Sequence, residues 1–82
     1  MKIATFYKTE YCANCRVLLP RVQEMVSDIK VKTLYDEDPE IESKNIRSVP
    51  TIIITEDGKE IDRIAGGSLT TIRKFFVDNG ML

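Results

Sequence analysis

The chain has no histidine, and only two cysteines, three prolines and four glycines among its 82 residues. Without histidine or a third cysteine, a zinc site would need carboxylates or ligands from a second subunit. So little glycine and proline excludes a collagen-like or low-complexity chain. No excess of either charge sign exists: 12 Lys and Arg face 13 Asp and Glu, a formal net charge of −1. That balance leaves no broad basic surface for a phosphate backbone and no polybasic membrane patch, so neither nucleic acid nor membrane is an expected partner. No stretch approaches the roughly 20 apolar residues of a membrane span. The opening apolar run, Ile3 to Tyr7, is too short for a secretory h-region, and Lys8, Glu10 and Arg16 follow quickly. The expected location is the cytoplasm, where paired cysteines are reactive or metal-binding rather than structural.

What is there is an ordinary globular composition, 43% apolar and 30% charged, of a size for one domain over residues 1–82. Ile3 to Tyr7 reads as a buried strand and Lys8 to Tyr11 as a loop. From Cys12 the period changes. Leu18, Val22, Met25 and Ile29, with Leu19 and Val26 beside them, form one apolar stripe on a helix of about 17 residues, which Pro20 should kink. Val31 to Tyr35 alternates as a second strand. Asp38 can cap a short helix with Pro39 at its first position, turning Ile41 and Ile46 inward. Thr51 to Thr55 is apolar on both faces, as in a central strand. Asp57-Gly58 signals a hairpin into a strand carrying Ile61 and Ile64. After Gly66-Gly67, Ser68 or Thr70 opens a last helix with Leu69, Ile72 and Phe76 on one face. The order is β-α-β-α-β-β-α. A right-handed first crossover makes the first two strands parallel, and the hairpin adds an antiparallel edge, giving a four-stranded mixed sheet with helices on its faces.

The chemistry sits in Cys12-Ala13-Asn14-Cys15, at the junction of the first loop and first helix. A helix N-terminus offers unpaired amide donors and a partial positive charge. Both favour thiolate over thiol, so Cys12 is expected to have a lowered pKa and to act as nucleophile. Cys15, one turn along, is expected to be buried and to attack the resulting mixed disulfide. Three plainer readings stand beside this one. The pair could be a structural disulfide, although so small a loop removes little entropy from the unfolded chain. It could be half of a metal site, or two inert core cysteines.

The motifs resemble those of the thioredoxin family over nearly the whole chain. Glu10-Tyr11-Cys12-Ala13-Asn14-Cys15-Arg16, with Pro20 five residues on, is similar to the family's Glu-Trp-Cys-Gly-Pro-Cys-Lys and its helix proline. Ile46-Arg47-Ser48-Val49-Pro50-Thr51 resembles Ile-Arg-Gly-Ile-Pro-Thr, and the Asp57-Gly58 turn and Gly66 match in order and spacing. The resemblance implies a thioredoxin-like three-layer α/β sandwich that lacks the family's first strand and helix. It also implies a monomeric protein-disulfide oxidoreductase with Cys12 and Cys15 catalytic and no cofactor or metal. Tyr11, Val49, Pro50, Thr51 and Gly66 would bind substrate. By the same resemblance Pro50 would be cis and face the disulfide, leaving the Val49 backbone free to pair with an incoming peptide. Gly66 and Gly67 would border that surface, their missing side chains permitting close approach. Protein disulfides would be the substrates and a flavoprotein such as thioredoxin reductase the electron donor.

The departures are specific. Tyr11 replaces Trp, Ala13-Asn14 replaces Gly-Pro, and Phe6 stands where the family carries a buried Asp that helps deprotonate the second cysteine. Lys32 matches the lysine that accompanies that Asp, or is only a solvated strand residue. The proton acceptor for Cys15 is left to Lys8 or a water. A glutaredoxin reduced by glutathione is the alternative, with Lys8, Arg16 and Arg47 available for the glutathione carboxylates. Against it, Ser68-Leu69 lacks the acidic residue that follows glutaredoxin's glycine pair. A donor dedicated to ribonucleotide reductase, and a metal-bridged dimer through two Cys12/Cys15 pairs, are further readings.

Overall fold

The computed structural model describes residues 1–82. Its elements are β1 (Lys2–Thr9), α1 (Ala13–Met25), β2 (Lys30–Leu34), α2 (Pro39–Ser43), β3 (Thr51–Glu56), β4 (Lys59–Ala65) and α3 (Leu69–Asp78). The sheet order is β2-β1-β3-β4. β1 and β2 run parallel, Phe6 opposite Val31, as a helical crossover requires. β3 lies antiparallel to β1, Phe6 opposite Ile52, and β4 antiparallel to β3. The expected element order and mixed four-stranded sheet are therefore found.

Alternation along the two inner strands builds two cores. Ala4 and Phe6 of β1 and Ile52 and Ile54 of β3 meet Cys15 and Val22 of α1 and Ile72, Phe75 and Phe76 of α3. On the other face Tyr7 and Ile53 pack with Leu34 and Ile46, and Ile41 of α2 covers them. Each fully buried aliphatic or Phe side chain stabilises the fold by about 1.5–3 kcal/mol over leaving it in water. β3 is buried on both faces because it lies inside the sheet with helices on either side, which is why its sequence reads Ile-Ile-Ile.

The short α2 starts where its cap chemistry places it. The Asp38 carboxylate accepts the Glu40 N–H at 3.0 Å, and Pro39 occupies the first turn. Asp57 and Gly58 both take positive φ, 52° and 84°, the conformation that a two-residue hairpin turn demands.

Several boundaries differ from the sequence reading: α2 stops at Ser43, so Ile46 is buried from the segment that follows it, and β2 is Lys30–Leu34, one residue earlier than expected. α1 has 13 residues rather than about 17, ending at Met25 with Val26 already extended. The Ile29 N–H instead donates to Val26 O across a turn. Ile29 is buried because it leads into β2, so its place in the helical stripe is coincidental. The helix runs on through Pro20, whose ring removes one intrahelical donor. β1 is longer than expected: Lys8 and Thr9, read as loop, pair with Thr33 and Leu34. Their polarity hides the strand because they lie at its end, where burial lessens.

Candidate active site

Cys12 is the N-cap of α1. Its backbone is extended (φ −85°, ψ 106°) and its Sγ accepts the Cys15 N–H at 3.1 Å. A sulfur thus takes the place usually held by a Ser, Thr, Asp or Asn oxygen, facing one of the orphan donors of the first turn. That turn holds no carboxylate to oppose a negative sulfur. Cys12 and Cys15 are joined in a disulfide. Cys12 is half-buried, whereas Cys15 is completely buried in the core beneath α1.

The second half of the site comes from the segment between α2 and β3 and from the end of β4. The Val49–Pro50 bond is cis, as the resemblance implied. Pro50 is buried, and its carbonyl accepts the Gly66 N–H at 2.8 Å, which fastens β4's last turn to the proline. Thr51, 2% exposed, opens β3, and its hydroxyl donates to Ser48 O at 2.7 Å. Val49 is half-buried and packs against both hydrophobic clusters, the first of which includes Cys12 and Cys15. Beside Val49 lies a groove of about 230 Å³ lined by Thr9, Leu34, Ile41, Ile46, Arg47 and Ser48. Tyr11, 88% exposed, stands free next to Cys12.

Gly66 and Gly67 are required by the backbone, whatever they border. A Cβ on Gly66 would meet nothing within 4 Å, and one on Gly67 would make only ordinary contact with Thr71. Their φ values of 71° and 100° instead demand glycine, because the turn into α3 passes through left-handed backbone.

Phe6 is fully buried in the cluster that holds Cys15, whose other buried members are all aliphatic or Phe. The Lys8 Nζ reaches Thr33 Oγ1 at 3.5 Å. Lys32 lies in register with Tyr7 and pairs with Asp38 at 3.7 Å and Glu40 at 3.6 Å, so it serves α2 as a half-solvated strand residue. Arg47 donates to Asn45 Oδ1, and Ser68 caps α3 by accepting the Thr71 N–H. No group of three or more His, Cys, Asp or Glu side chains could hold a metal ion.

Sequence reasoning missed Arg63 and the groove. Arg63 stands in β4 as one more charged residue of an alternating edge strand, and nothing in its spacing marks it. The groove joins Leu34, Ile41 and Ile46 from three separate segments, which only the fold brings together.

A family model described as Thioredoxin matches residues 2–78. A thioredoxin of Rickettsia bellii is 43% identical over 63 residues, 70% of this chain and 60% of that protein. One from Mycoplasmoides gallisepticum is 36% identical over 70 residues, 79% of this chain and 70% of that protein. The chain thus spans about 60% of the length of the Rickettsia relative. Among solved structures, thioredoxin 1 of the thermophile Thermosipho africanus superposes with a TM-score of 0.75 at 23% identity, covering 93% of this chain and 91% of that one. At that identity the likeness shows the fold.

Proposed function

Since the chain belongs to the thioredoxin family, we propose that it is a thiol–disulfide oxidoreductase that reduces protein disulfides through Cys12 and Cys15. One observation carries the reading: a disulfide at a helix N-terminus, with Cys12 half-buried and Cys15 wholly buried. In the reduced protein the Cys12 thiolate attacks one substrate sulfur, forming a mixed disulfide and expelling the other as a thiolate that takes up a proton. Cys15 loses its proton and attacks the Cys12 sulfur. The mixed disulfide breaks, the second substrate thiolate leaves, and the Cys12–Cys15 bond closes. One substrate disulfide becomes two thiols, and two electrons leave the protein. The oxidised Cys12–Cys15 form is the end of that half-cycle, and a flavoprotein disulfide reductase restores the dithiol.

Tyr11, Val49, Pro50, Thr51 and Gly66 form the docking surface of this reading. The Val49 backbone pairs with an extended substrate segment, and the exposed Tyr11 beside Cys12 meets the same substrate. The glutathione-reduced alternative gains nothing from Ser68, whose hydroxyl is engaged as a helix cap. We place the protein, as a monomer, in the reducing cytoplasm, where a short Cys-x-x-Cys pair serves exchange rather than stability. Reduction of insulin with dithiothreitol as donor tests the proposal. Wild type should accelerate it and Cys12→Ser should not; equal rates for the two proteins would refute the reading.

A further inference from the structure

The loop that carries Val49 is held at both ends by β4 and the glycine that follows it. At its far end the Gly66 N–H holds Pro50 O. At its near end stands Arg63, three residues earlier on β4. A register shift between Ile54 and Thr55 brings Glu60 within reach of Arg63, which pairs with Ile53 on the face that α2 covers. The guanidinium grips Glu60 with both prongs, Nε to Oε2 and Nη2 to Oε1, each at 2.6 Å. Nη2 and Nη1 donate further, to Lys44 O at 2.7 Å and Asn45 O at 3.3 Å.

The Lys44 carbonyl is among the unpaired acceptors that a helix leaves at its C-terminus, and the Asn45 carbonyl lies one residue beyond it. Lys44 caps α2, and Asn45 follows in left-handed backbone with φ 53°. Asn45 begins the segment Asn45–Pro50 that shapes the groove and ends at the cis proline. The mutual hydrogen bond lowers the Glu60 pKa and raises that of Arg63, so the pair stays ionised across neutral pH.

We propose that Arg63, oriented by Glu60, is a positioning residue for substrate docking: it fixes the α2 end of the Val49 loop at the height where the Val49 backbone meets an incoming peptide. Arg63 touches neither cysteine and takes no part in sulfur chemistry. The assignment rests on the disulfide-exchange reading, and it separates two properties that reading joins. Loosening the loop should weaken binding of an extended protein substrate. It should leave attack on a small disulfide, which needs no backbone pairing, unchanged.

The test follows oxidation of the pre-reduced protein by acid quench and thiol alkylation, with insulin and with hydroxyethyl disulfide, an uncharged probe. Losing hydrogen bonds from a charged donor should raise the half-saturating insulin concentration of Arg63→Gln about tenfold. The maximal rate should stay within about twofold and the hydroxyethyl disulfide rate should not move, since both report the same cysteine chemistry. An unchanged insulin concentration dependence overturns the proposal, as does an equal slowing with both disulfides. Should Arg63→Gln fail to fold, Arg63→Lys decides. It keeps the charge and stem but loses the fork, so a rise of about threefold is expected and none would overturn the assignment. Wild-type protein oxidised by neither disulfide would remove the exchange reading itself, and this assignment with it.

Discussion

Replacing Phe6 by Asp tests the apolar setting of Cys15 most sharply. Phe6 is fully buried in the cluster with Cys15, Val22, Ile52, Ile72 and Phe76. Removing a buried Phe side chain costs about 3–5 kcal/mol. An unpaired polar group in its place adds about 1–3 kcal/mol. Together that is about 4–8 kcal/mol, against a total of about 4–12 kcal/mol for a domain of this size. No cation offsets the new carboxylate, because Lys32 lies in register with Tyr7 and is engaged by Asp38 and Glu40 on the opposite face. Burial raises the carboxyl's folded pKa above its unfolded value near 3.9. The folded state then holds the proton longer than the unfolded one, so the variant should lose about 1.4 kcal/mol per pH unit between those two pKa values. Urea midpoints at pH 4.5 and 7.5, with the disulfide intact, read this directly. Phe6→Asp should weaken with rising pH relative to wild type, whereas Phe6→Asn should be weakened equally at both. Equal midpoints for the two variants at pH 7.5 would refute the reasoning, for they would mean that the carboxylate finds a partner or water.

Two further outcomes follow from the packing. Ser68→Ala removes the oxygen that accepts the Thr71 N–H at 3.2 Å at the start of α3. It should lower stability by about 1 kcal/mol in urea denaturation, and an unchanged midpoint would show that the cap contributes nothing. The Tyr7 phenol has its pKa raised, first by burial and then by Glu40 and Glu60. Its neutral form is therefore favoured in the folded state, and stability should fall as pH climbs above the unfolded phenol's value of about 10. Tyr7→Phe should flatten that alkaline decline; a decline identical to wild type would place its cause elsewhere.

The residues that declared themselves in the sequence are those whose signal is local. Asp38-Pro39 opens a helix by cap chemistry, Asp57-Gly58 closes a hairpin by backbone sign, and Thr51 to Thr55 is apolar because both its faces are covered. The Cys12/Cys15 pair was legible because its position at a helix start is itself chemical. What stayed hidden is long-range. Ile29 kept the helical period while lying beyond the helix, Lys32 turned to α2 rather than to Cys15, and Arg63 reached carbonyls 18 and 19 residues away. A one-dimensional pattern carries no register between β4 and the end of α2, so that clamp had no signature.

The most direct test of the central claim is covalent trapping. Cys12→Ser and Cys15→Ser, each reduced and then mixed with a disulfide-containing protein, would be compared for a mixed disulfide on non-reducing gels and by mass spectrometry. The position of Cys12 at the helix cap and the burial of Cys15 lead to one expectation. Cys15→Ser should accumulate an adduct through Cys12 that dithiothreitol releases, and Cys12→Ser should accumulate none. An adduct on Cys12→Ser but not on Cys15→Ser would reverse the two roles and contradict the account.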